Sequence, residues 1–284
     1  MKLITFSHRG QIRPGVLTAG DSAVLPLPYP SMQALIETPW EQVCAAAEAG
    51  GISLPLSDVT LLAPIPQPRQ DVICLGMNYR DHAEESARYS GDSFRHDSAI
   101  PVYFSKRVGE AVAPEGWIES HPDLVQRLDY EVELAVIIGR AAKNVSPERA
   151  ADYIFGYTIL NDVSARLLQT SHKQWYFGKS LDGFTPMGPC ITTADEIAFP
   201  PALDISCQVN GELRQHSNTR LLITGIAEII AELSSGITLL PGTIIATGTP
   251  AGVGMGFDPP KFLKSGDVVE CAIEGIGTLR STVV

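Results

Sequence analysis

Two glutamates one residue apart, inside the apolar run 128–140, constrain this chain most. The run is strand-like, and side chains alternate across a strand, so Glu131 and Glu133 point to the same face. That face continues as Ala135 and Ile137 and is therefore apolar beyond the pair. The opposite face carries Tyr130, Val132, Leu134, Val136 and Ile138.

The negative charges of these two carboxylates oppose their burial. Two anions crowded on a half-buried face repel each other and lose hydration, which is tolerable only with a cation between them. Glu131 and Glu133 therefore form a candidate site for a hard divalent metal.

A third carboxylate, Asp162, lies where a predicted strand ends and a predicted helix begins. Asp is common as an N-cap at such a place, and taken alone the cap is the favoured interpretation. If Asp162 lies beside Glu131 and Glu133, a role as a third metal ligand becomes favoured over the cap. Three monodentate carboxylates leave half of an octahedral Mg²⁺ or Mn²⁺ shell for water and substrate.

The helix after Asp162 contributes two further polar groups. If it starts near Asp162, then Arg166 and Gln169 follow at four and seven residues and lie on one face. That face presents a guanidinium and an amide to whatever the metal holds. The alternative is a solvated helix face, which would be favoured for Gln169 alone.

His82 and Glu85 stand three residues apart in a predicted helix. On a helical turn the carboxylate can hold one imidazole nitrogen and make the other more basic. The pattern is weak by itself and is more often an exposed helical pair. The polar stretch 86–98 follows it and is either a mobile cover over a site or a surface loop.

Two glycine-rich stretches remain. The Gly-Lys-Ser at 178–180 is not a nucleotide-binding P-loop, because the upstream glycine of that motif would be Lys173. Lys179 is better interpreted as a single cation near an anionic group. The stretch 246–254 follows a strand and offers backbone N–H groups and the Thr249 hydroxyl, either as a carboxylate-binding nest or as a tight structural loop.

The order of predicted elements indicates a strand-rich α+β protein rather than regular strand–helix alternation. The proline-rich connector 63–68 divides a small N-terminal α+β domain, residues 1–65, from a larger catalytic domain, residues 66–284. Strands are predicted at 2–6, 13–17, 71–75, 102–105, 130–138, 155–160, 205–210, 243–247 and 268–273. Helices are predicted at 31–36, 40–47, 80–88, 147–153, 164–171 and 224–233.

The net charge of the 284 residues is -11, which argues against nucleic acid and anionic membrane surfaces as partners. An acidic protein that binds an anion needs a local positive centre, such as a metal or clustered lysine and arginine. No signal-peptide pattern and no bilayer-length apolar run is present, and the five cysteines form no C-x-x-C pair. These features predict a cytoplasmic protein with reduced thiols.

Taken together, residues 72–284 resemble the fumarylacetoacetate hydrolase family. The resemblance is carried by six segments in a fixed order: Gly-Met-Asn-Tyr at 76–79 with Asp-His at 81–82, Tyr-Glu-Val-Glu at 130–133, Asn-Asp-Val-Ser-Ala-Arg at 161–166, Gly-Lys-Ser at 178–180, Val-Asn-Gly-Glu at 209–212, and 246–254. The chain departs from the family pattern at 220–222, where relatives often carry Ser-Asp.

The resemblance implies a mixed β-roll catalytic core after a small N-terminal domain, usually in a homodimer. It implies one Mg²⁺ or Mn²⁺ per chain, a His–Glu dyad on a lid, a lysine beside the reacting centre and side chains that grip a small anionic keto acid. These roles fall in turn on Glu131, Glu133 and Asp162 for the metal, His82 and Glu85 for the dyad, Lys179 for the lysine, and Arg166, Gln169 and Thr249 for the substrate.

The activity that the resemblance implies first is hydrolysis of a carbon–carbon bond in a small β-diketo acid, such as an acylpyruvate or fumarylacetoacetate, through a metal-bound enolate. The same chemistry supports decarboxylation of oxaloacetate-like acids and isomerisation or tautomerisation of 2-hydroxy-diene-dioates. A metal-dependent binding protein without catalysis is a further alternative, which inactivity across a panel of keto acids would support.

Overall fold

The computed structural model describes residues 1–18, 20–90 and 100–284. The strands are β1 (Lys2–His8), β2 (Gln11–Leu17), β3 (Ala23–Pro26), β4 (Leu54–Pro55), β5 (Thr60–Leu62), β6 (Val72–Gly76), β7 (Val102–Lys106), β8 (Trp117–Ile118), β9 (Leu128–Asp129), β10 (Val132–Ile138), β11 (Ile154–Asn161), β12 (Ser164–Ala165), β13 (Met187–Thr193), β14 (Asp204–Val209), β15 (Glu212–Asn218), β16 (Ile244–Ala246), β17 (Val268–Ile273) and β18 (Gly277–Val283). The α-helices are α1 (Met32–Ile36), α2 (Trp40–Glu48), α3 (Arg80–Ser90), α4 (Arg166–Ser171), α5 (Tyr176–Lys179) and α6 (Ile226–Gly236).

A large mixed sheet carries most of the described strands, in the order β4-β3-β2-β1-β13-β11-β10-β16-β6-β7, with β5 also paired to β1. Its pairs are antiparallel except β16 with β6. A second sheet has the order β15-β14-β17-β18-β8, and β9 pairs with β12 alone. The two sheets with flanking helices form the strand-rich α+β roll that the sequence predicts.

The N-terminal strands continue the large sheet rather than forming a sheet of their own. Lys2 and Leu3 of β1 pair with Thr192 and Ile191 of β13. The proposed division into residues 1–65 and 66–284 therefore crosses a continuous sheet, and it stays a prediction.

Strand β10 lies at the centre of the molecule, and both of its faces are buried. Its two faces contribute to two different hydrophobic clusters. One cluster includes Val132, Leu134, Val136 and Ile138, and the other includes Ala135 and Ile137. The alternation read from the sequence is confirmed, and the glutamate face looks into protein rather than solvent.

The predicted strands all occur, within a residue or two of the expected bounds. Two helix predictions need correction. Residues Pro147–Tyr153 form a 3₁₀ helix, and α4 begins at Arg166 because Ser164 and Ala165 pair with β9. The predicted cover at 86–98 falls mostly outside the described residues. No helix of the described residues is long and apolar enough to cross a bilayer.

Candidate active site

An acidic cluster, made of Glu131, Glu133 and Asp162, lies where β10 and β11 of the large sheet meet. One carboxylate oxygen from each lies within 4.8 Å of the others, and all three side chains are buried. The convergence follows from the antiparallel pairing of β10 with β11, in which Val132 lies opposite Asn161. The start of one strand and the end of the other therefore meet, and the Asp162 amide donates to the Glu131 carbonyl at 2.8 Å.

Asp162 does not cap the helix that follows it. Helix α4 starts at Arg166, its N-cap position is Ala165, and no side chain caps its first turn. The bend between β11 and α4 instead leaves the Asp162 carboxylate fully buried beside the two glutamates.

Two buried lysines contact the acidic cluster. Lys179 Nζ lies 2.7 Å from Glu131 Oε2 and 2.6 Å from Asp162 Oδ2. Lys106 Nζ lies 2.7 Å from Asp162 Oδ1 and donates to the carbonyls of Lys179 and Val163 at 2.5 and 3.2 Å. Lys179 thus stands where the sequence predicts a cation beside an anionic group, and Lys106 is a second cation that the sequence analysis missed.

Arg166 and Gln169 lie on a buried face of α4, not on a solvated one. Arg166 Nη1 contacts Glu131 Oε1 at 2.5 Å and donates to Gln169 Oε1 at 3.1 Å, while Arg166 Nε donates to Asp129 Oδ2 at 2.8 Å. Arg166 Nη2 is buried and has no hydrogen-bond partner among the described residues. Arg166 also lines the cavity described below.

Asp129 is the second group that the sequence analysis missed. Its carboxylate is fully buried and accepts from the backbone amides of Tyr130, Gly254 and Met255, at 2.9, 2.6 and 3.0 Å, as well as from Arg166. The sequence could have predicted this residue. The alternation that places Glu131 and Glu133 on one face of a strand also places residue 129 on that face.

The two glutamates experience opposite electrostatic surroundings. Burial alone would raise the pKa of Glu131, but Lys179 and Arg166 beside it lower that pKa to about 2. Burial also raises the pKa of Glu133, and the negative charges of Asp162 and Glu131 raise it further, well above its ordinary value.

Glu133 has a backbone partner but no side-chain cation paired with it among the described residues. Its Oε2 accepts from the Gly248 amide at 2.8 Å, and none of the ion pairs of the described residues includes it. A cation within reach of all three clustered carboxylates would relieve both the desolvation and the repulsion. The donors are carboxylate oxygens only, so the cluster fits a hard divalent ion such as Mg²⁺ or Mn²⁺.

Thr249 lines the same cavity, but its hydroxyl is engaged within the protein. It donates to the Val132 carbonyl at 2.9 Å and accepts from Gln215 Nε2 at 2.7 Å. The 246–254 stretch therefore has a structural role as a tight loop against β10, and its amides also bind carboxylates, as the nest interpretation requires.

His82 and Glu85 form a buried pair on α3. His82 Nδ1 lies 3.0 Å from Glu85 Oε2, and the carboxylate also accepts from the Gly252 amide at 3.1 and 3.2 Å. The exposed helical pair is excluded, because both residues are less than one-tenth exposed. With Nδ1 engaged, Nε2 is the ring nitrogen left for chemistry.

One cavity is lined by His82 of the pair and by Glu131 and Glu133 of the acidic cluster. Its apolar lining comes from Leu75, Met77, Phe104, Trp175 and Met255. The polar lining includes His82, Glu131, Glu133, Arg166, Gln169, Lys179 and Thr249. The arrangement can hold an acid beside a cation centre and present an imidazole to it.

We predict that Asp129→Asn destabilises the fold and weakens ligand binding. The change removes one of the two carboxylates that pair with the buried Arg166, which costs about 3 kcal/mol of the free energy of unfolding. The KM for substrate should rise because Arg166 is no longer held in place. Denaturant unfolding and steady-state kinetics measure the two effects, with Asp152→Asn, a half-exposed aspartate beside Arg149, as control. Unchanged values in both would refute this role of Asp129.

The fold and the cavity define a member of the fumarylacetoacetate hydrolase family, and the chain belongs to it. The family model described as "Fumarylacetoacetate (FAA) hydrolase C-terminal" matches residues 71–284. A second model, described as "Rv2993c-like, N-terminal", matches residues 1–64.

The relatives are enzymes with different reactions. The oxaloacetate tautomerase YisK of Bacillus subtilis strain 168 is 47% identical over 236 residues, covering 83% of this chain and 77% of the relative. The fumarylacetoacetate hydrolase structure from psychrophilic Exiguobacterium antarcticum is 40% identical, with a TM-score of 0.86 and coverage of 100% and 99%. The structure of maleylpyruvate hydrolase from Sphingobium sp. SYK-6, in complex with manganese(II) and pyruvate, is 31% identical, with a TM-score of 0.79 and coverage of 100% and 99%. The expected homodimer and cytoplasmic location stay predictions.

Proposed function

We propose that Glu131, Glu133 and Asp162 hold one divalent metal ion per chain, Mg²⁺ or Mn²⁺. The proposal is supported by the close approach of the three carboxylates, by the repulsion that Asp162 and Glu131 exert on the buried Glu133, and by the manganese in the Sphingobium relative. When bound, such an ion supplies a Lewis acid for the oxygens of a 2-oxo acid.

We propose further that the protein catalyses keto–enol tautomerisation of a small 2-oxo acid of the oxaloacetate type. The observation that carries this proposal is the buried His82–Glu85 pair, which faces the same cavity as the acidic cluster. Tautomerisation needs one base and a positive environment for an enolate, and the cavity contains both. The identity of 47% to an oxaloacetate tautomerase supports the same reaction.

In this proposal the chain's own residues bind the acid and move one proton. Arg166 and Gln169 bind the carboxylate of the 2-oxo acid, with the free Arg166 Nη2 as one donor. His82 Nε2 takes the proton from carbon 3, and Glu85 stabilises the imidazolium that forms. Lys179 stabilises the negative charge that develops on the substrate. The proton is then returned to the 2-oxygen, so the enol has the composition of the keto form.

Carbon–carbon hydrolysis of an acylpyruvate-like acid is the second candidate, and the two hydrolase relatives favour it. His82 would then deprotonate a water that attacks the distal carbonyl. The bond from that carbonyl carbon to carbon 3 breaks, and the products are a carboxylic acid and pyruvate. The sequence analysis placed hydrolysis first. We now propose tautomerisation ahead of hydrolysis because tautomerisation needs no separately positioned water.

A comparison of two substrates tests the proposal. The Mg²⁺- or Mn²⁺-loaded protein is incubated with enol-oxaloacetate and with acetylpyruvate, and the enol absorbance, pyruvate and carbon dioxide are followed. We expect loss of enol absorbance from oxaloacetate without release of carbon dioxide, faster than acetylpyruvate is cleaved. Faster cleavage of acetylpyruvate would establish the hydrolase instead, carbon dioxide would establish the decarboxylase, and inactivity on both would refute an enzyme of this class.

A further inference from the structure

Two packed aromatic rings, those of Trp175 and Phe104, line the cavity. Trp175, just before α5, contacts Phe104 of β7 edge to face, with ring centroids 5.1 Å apart and planes at 67°. The Phe104 ring in turn lies 5.3 Å from Lys179 Nζ. One aromatic ring therefore separates the indole of Trp175 from the lysine that contacts Glu131 and Asp162.

The indole occupies space that a side chain at Gly76 would need. A Cβ built on Gly76, the last residue of β6, would lie 2.6 Å from Trp175 Cη2 and closer still to Cζ3. The backbone of Gly76 has no left-handed φ, so conformation does not require glycine there. Glycine is required because the Trp175 ring packs directly on it. The absence of a side chain at Gly76 therefore allows the indole to lie where it does.

The proposed function places the keto-acid end of a substrate against Arg166 and Lys179 of the cavity lining. Leu75, Met77, Phe104, Trp175 and Met255 of the same lining carry no charge. In that arrangement the group beyond carbon 3 is left to the uncharged lining, which includes the indole.

We propose that Trp175 determines specificity by limiting the length of the substrate beyond carbon 3. The inference rests on the proposed function at this site and adds the substrate class: short 2-oxo acids, with long acyl chains excluded by the indole. The indole packs on Gly76 of β6 and on Phe104 of β7, so a longer substrate would have to displace it from both contacts.

A series of acylpyruvates with lengthening acyl chains tests the proposal, since each can be both enolised and hydrolysed. In the metal-loaded wild type we expect kcat/KM to fall at least about tenfold from acetylpyruvate to hexanoylpyruvate. In Trp175→Ala the fall should shrink to less than about threefold. Trp117→Ala, at an exposed tryptophan far along the chain, is the control and should keep the wild-type ratio.

The outcomes separate the two proposals. A wild type that is inert on oxaloacetate and on the whole series refutes the proposed function. A wild type that acts on oxaloacetate but on no acylpyruvate refutes the length limit, because even the shortest acyl group is then rejected. A wild type and a Trp175→Ala variant that are both active with equal length ratios refute the role of Trp175 alone. A variant that fails to fold is recognised by its melting temperature, and Trp175→Phe, a smaller ring at the same place, then takes its place and should give an intermediate ratio.

A substitution at Gly76 tests the same contact between Gly76 and Trp175. Gly76→Ala adds a methyl group that displaces the indole into the cavity, and we expect kcat/KM for acetylpyruvate to fall about tenfold. In the Trp175→Ala background the same change should cost less than about twofold, because the ring is gone. An equal loss in both backgrounds would show that the methyl group acts through another contact, and the proposal would be wrong.

Discussion

Replacing His82 with alanine should lower kcat by about 10²- to 10⁴-fold, which is the range for loss of a positioned general base. The imidazole is the one ionisable group of the described cavity lining that is neither a carboxylate of the acidic cluster nor ion-paired to it. Binding of Mn²⁺ should stay within about threefold of wild type, because His82 contacts Glu85 and not the clustered carboxylates. Stopped-flow kinetics and calorimetric Mn²⁺ titration measure the two quantities on the same preparation.

A neighbouring pair of glutamates provides a matched control for this prediction. Glu85→Gln removes the carboxylate that holds His82 Nδ1, so it should lower kcat by a smaller factor than loss of the imidazole itself. Glu84→Gln changes an exposed residue on the same helix and should have no effect. Unchanged turnover in His82→Ala, or equal effects of the two glutamine variants, would contradict the assignment of the base.

One loop couples the base to the acidic cluster. The backbone amides of Gly248, Gly252 and Gly254 donate respectively to the carboxylates of Glu133, Glu85 and Asp129. Three acidic groups from different elements are therefore held by seven consecutive residues. Gly252 has a φ of +101°, and a Cβ there would collide with the Arg214 carbonyl, so only glycine places this amide correctly.

Local periodicity predicted two of the three carboxylates of the acidic cluster. The alternation of β10 is a property of any strand, so Glu131 and Glu133 could be assigned to one face without knowledge of the fold. The position of Asp162 could not, because a cap and a buried ligand have the same local sequence. The antiparallel pairing of β10 with β11 decides between them, and that pairing is a long-range contact.

The features that were not predicted differ in whether the sequence contained enough information to predict them. Asp129 was in phase with the glutamates and could have been found from the same alternation. Lys106 is the last residue of β7 and reaches Asp162 only through the tertiary structure. Strand β13 was missed because Gly188 and Pro189 interrupt its apolar pattern, although it lies inside the large sheet.

Replacing Glu133 with glutamine should remove both the divalent metal and the activity. We expect the affinity for Mn²⁺ to fall at least about 100-fold, which is at or beyond the loss seen when outer hydrogen-bond partners of metal ligands are removed. Glu133 is the carboxylate whose pKa is raised by burial and by Asp162 and Glu131, so it contributes the largest unbalanced attraction for a cation. Calorimetric titration and turnover at saturating Mn²⁺ check both effects.

The stability of the metal-free protein should change in the opposite direction. A folded pKa above the unfolded one means that the ionised Glu133 destabilises the fold, increasingly as the pH rises above about 4.3. Glutamine carries no charge, so the metal-free variant should melt at or above the wild-type temperature, with a difference that grows with pH. Added Mn²⁺ should raise the melting temperature of wild type and of the control Glu270→Gln, a partly exposed glutamate of β17, but not of Glu133→Gln. A Glu133→Gln protein that is still stabilised by Mn²⁺ would show that the ion is held elsewhere, and the arrangement of Glu131, Glu133 and Asp162 would then be an ion-pair network of the core.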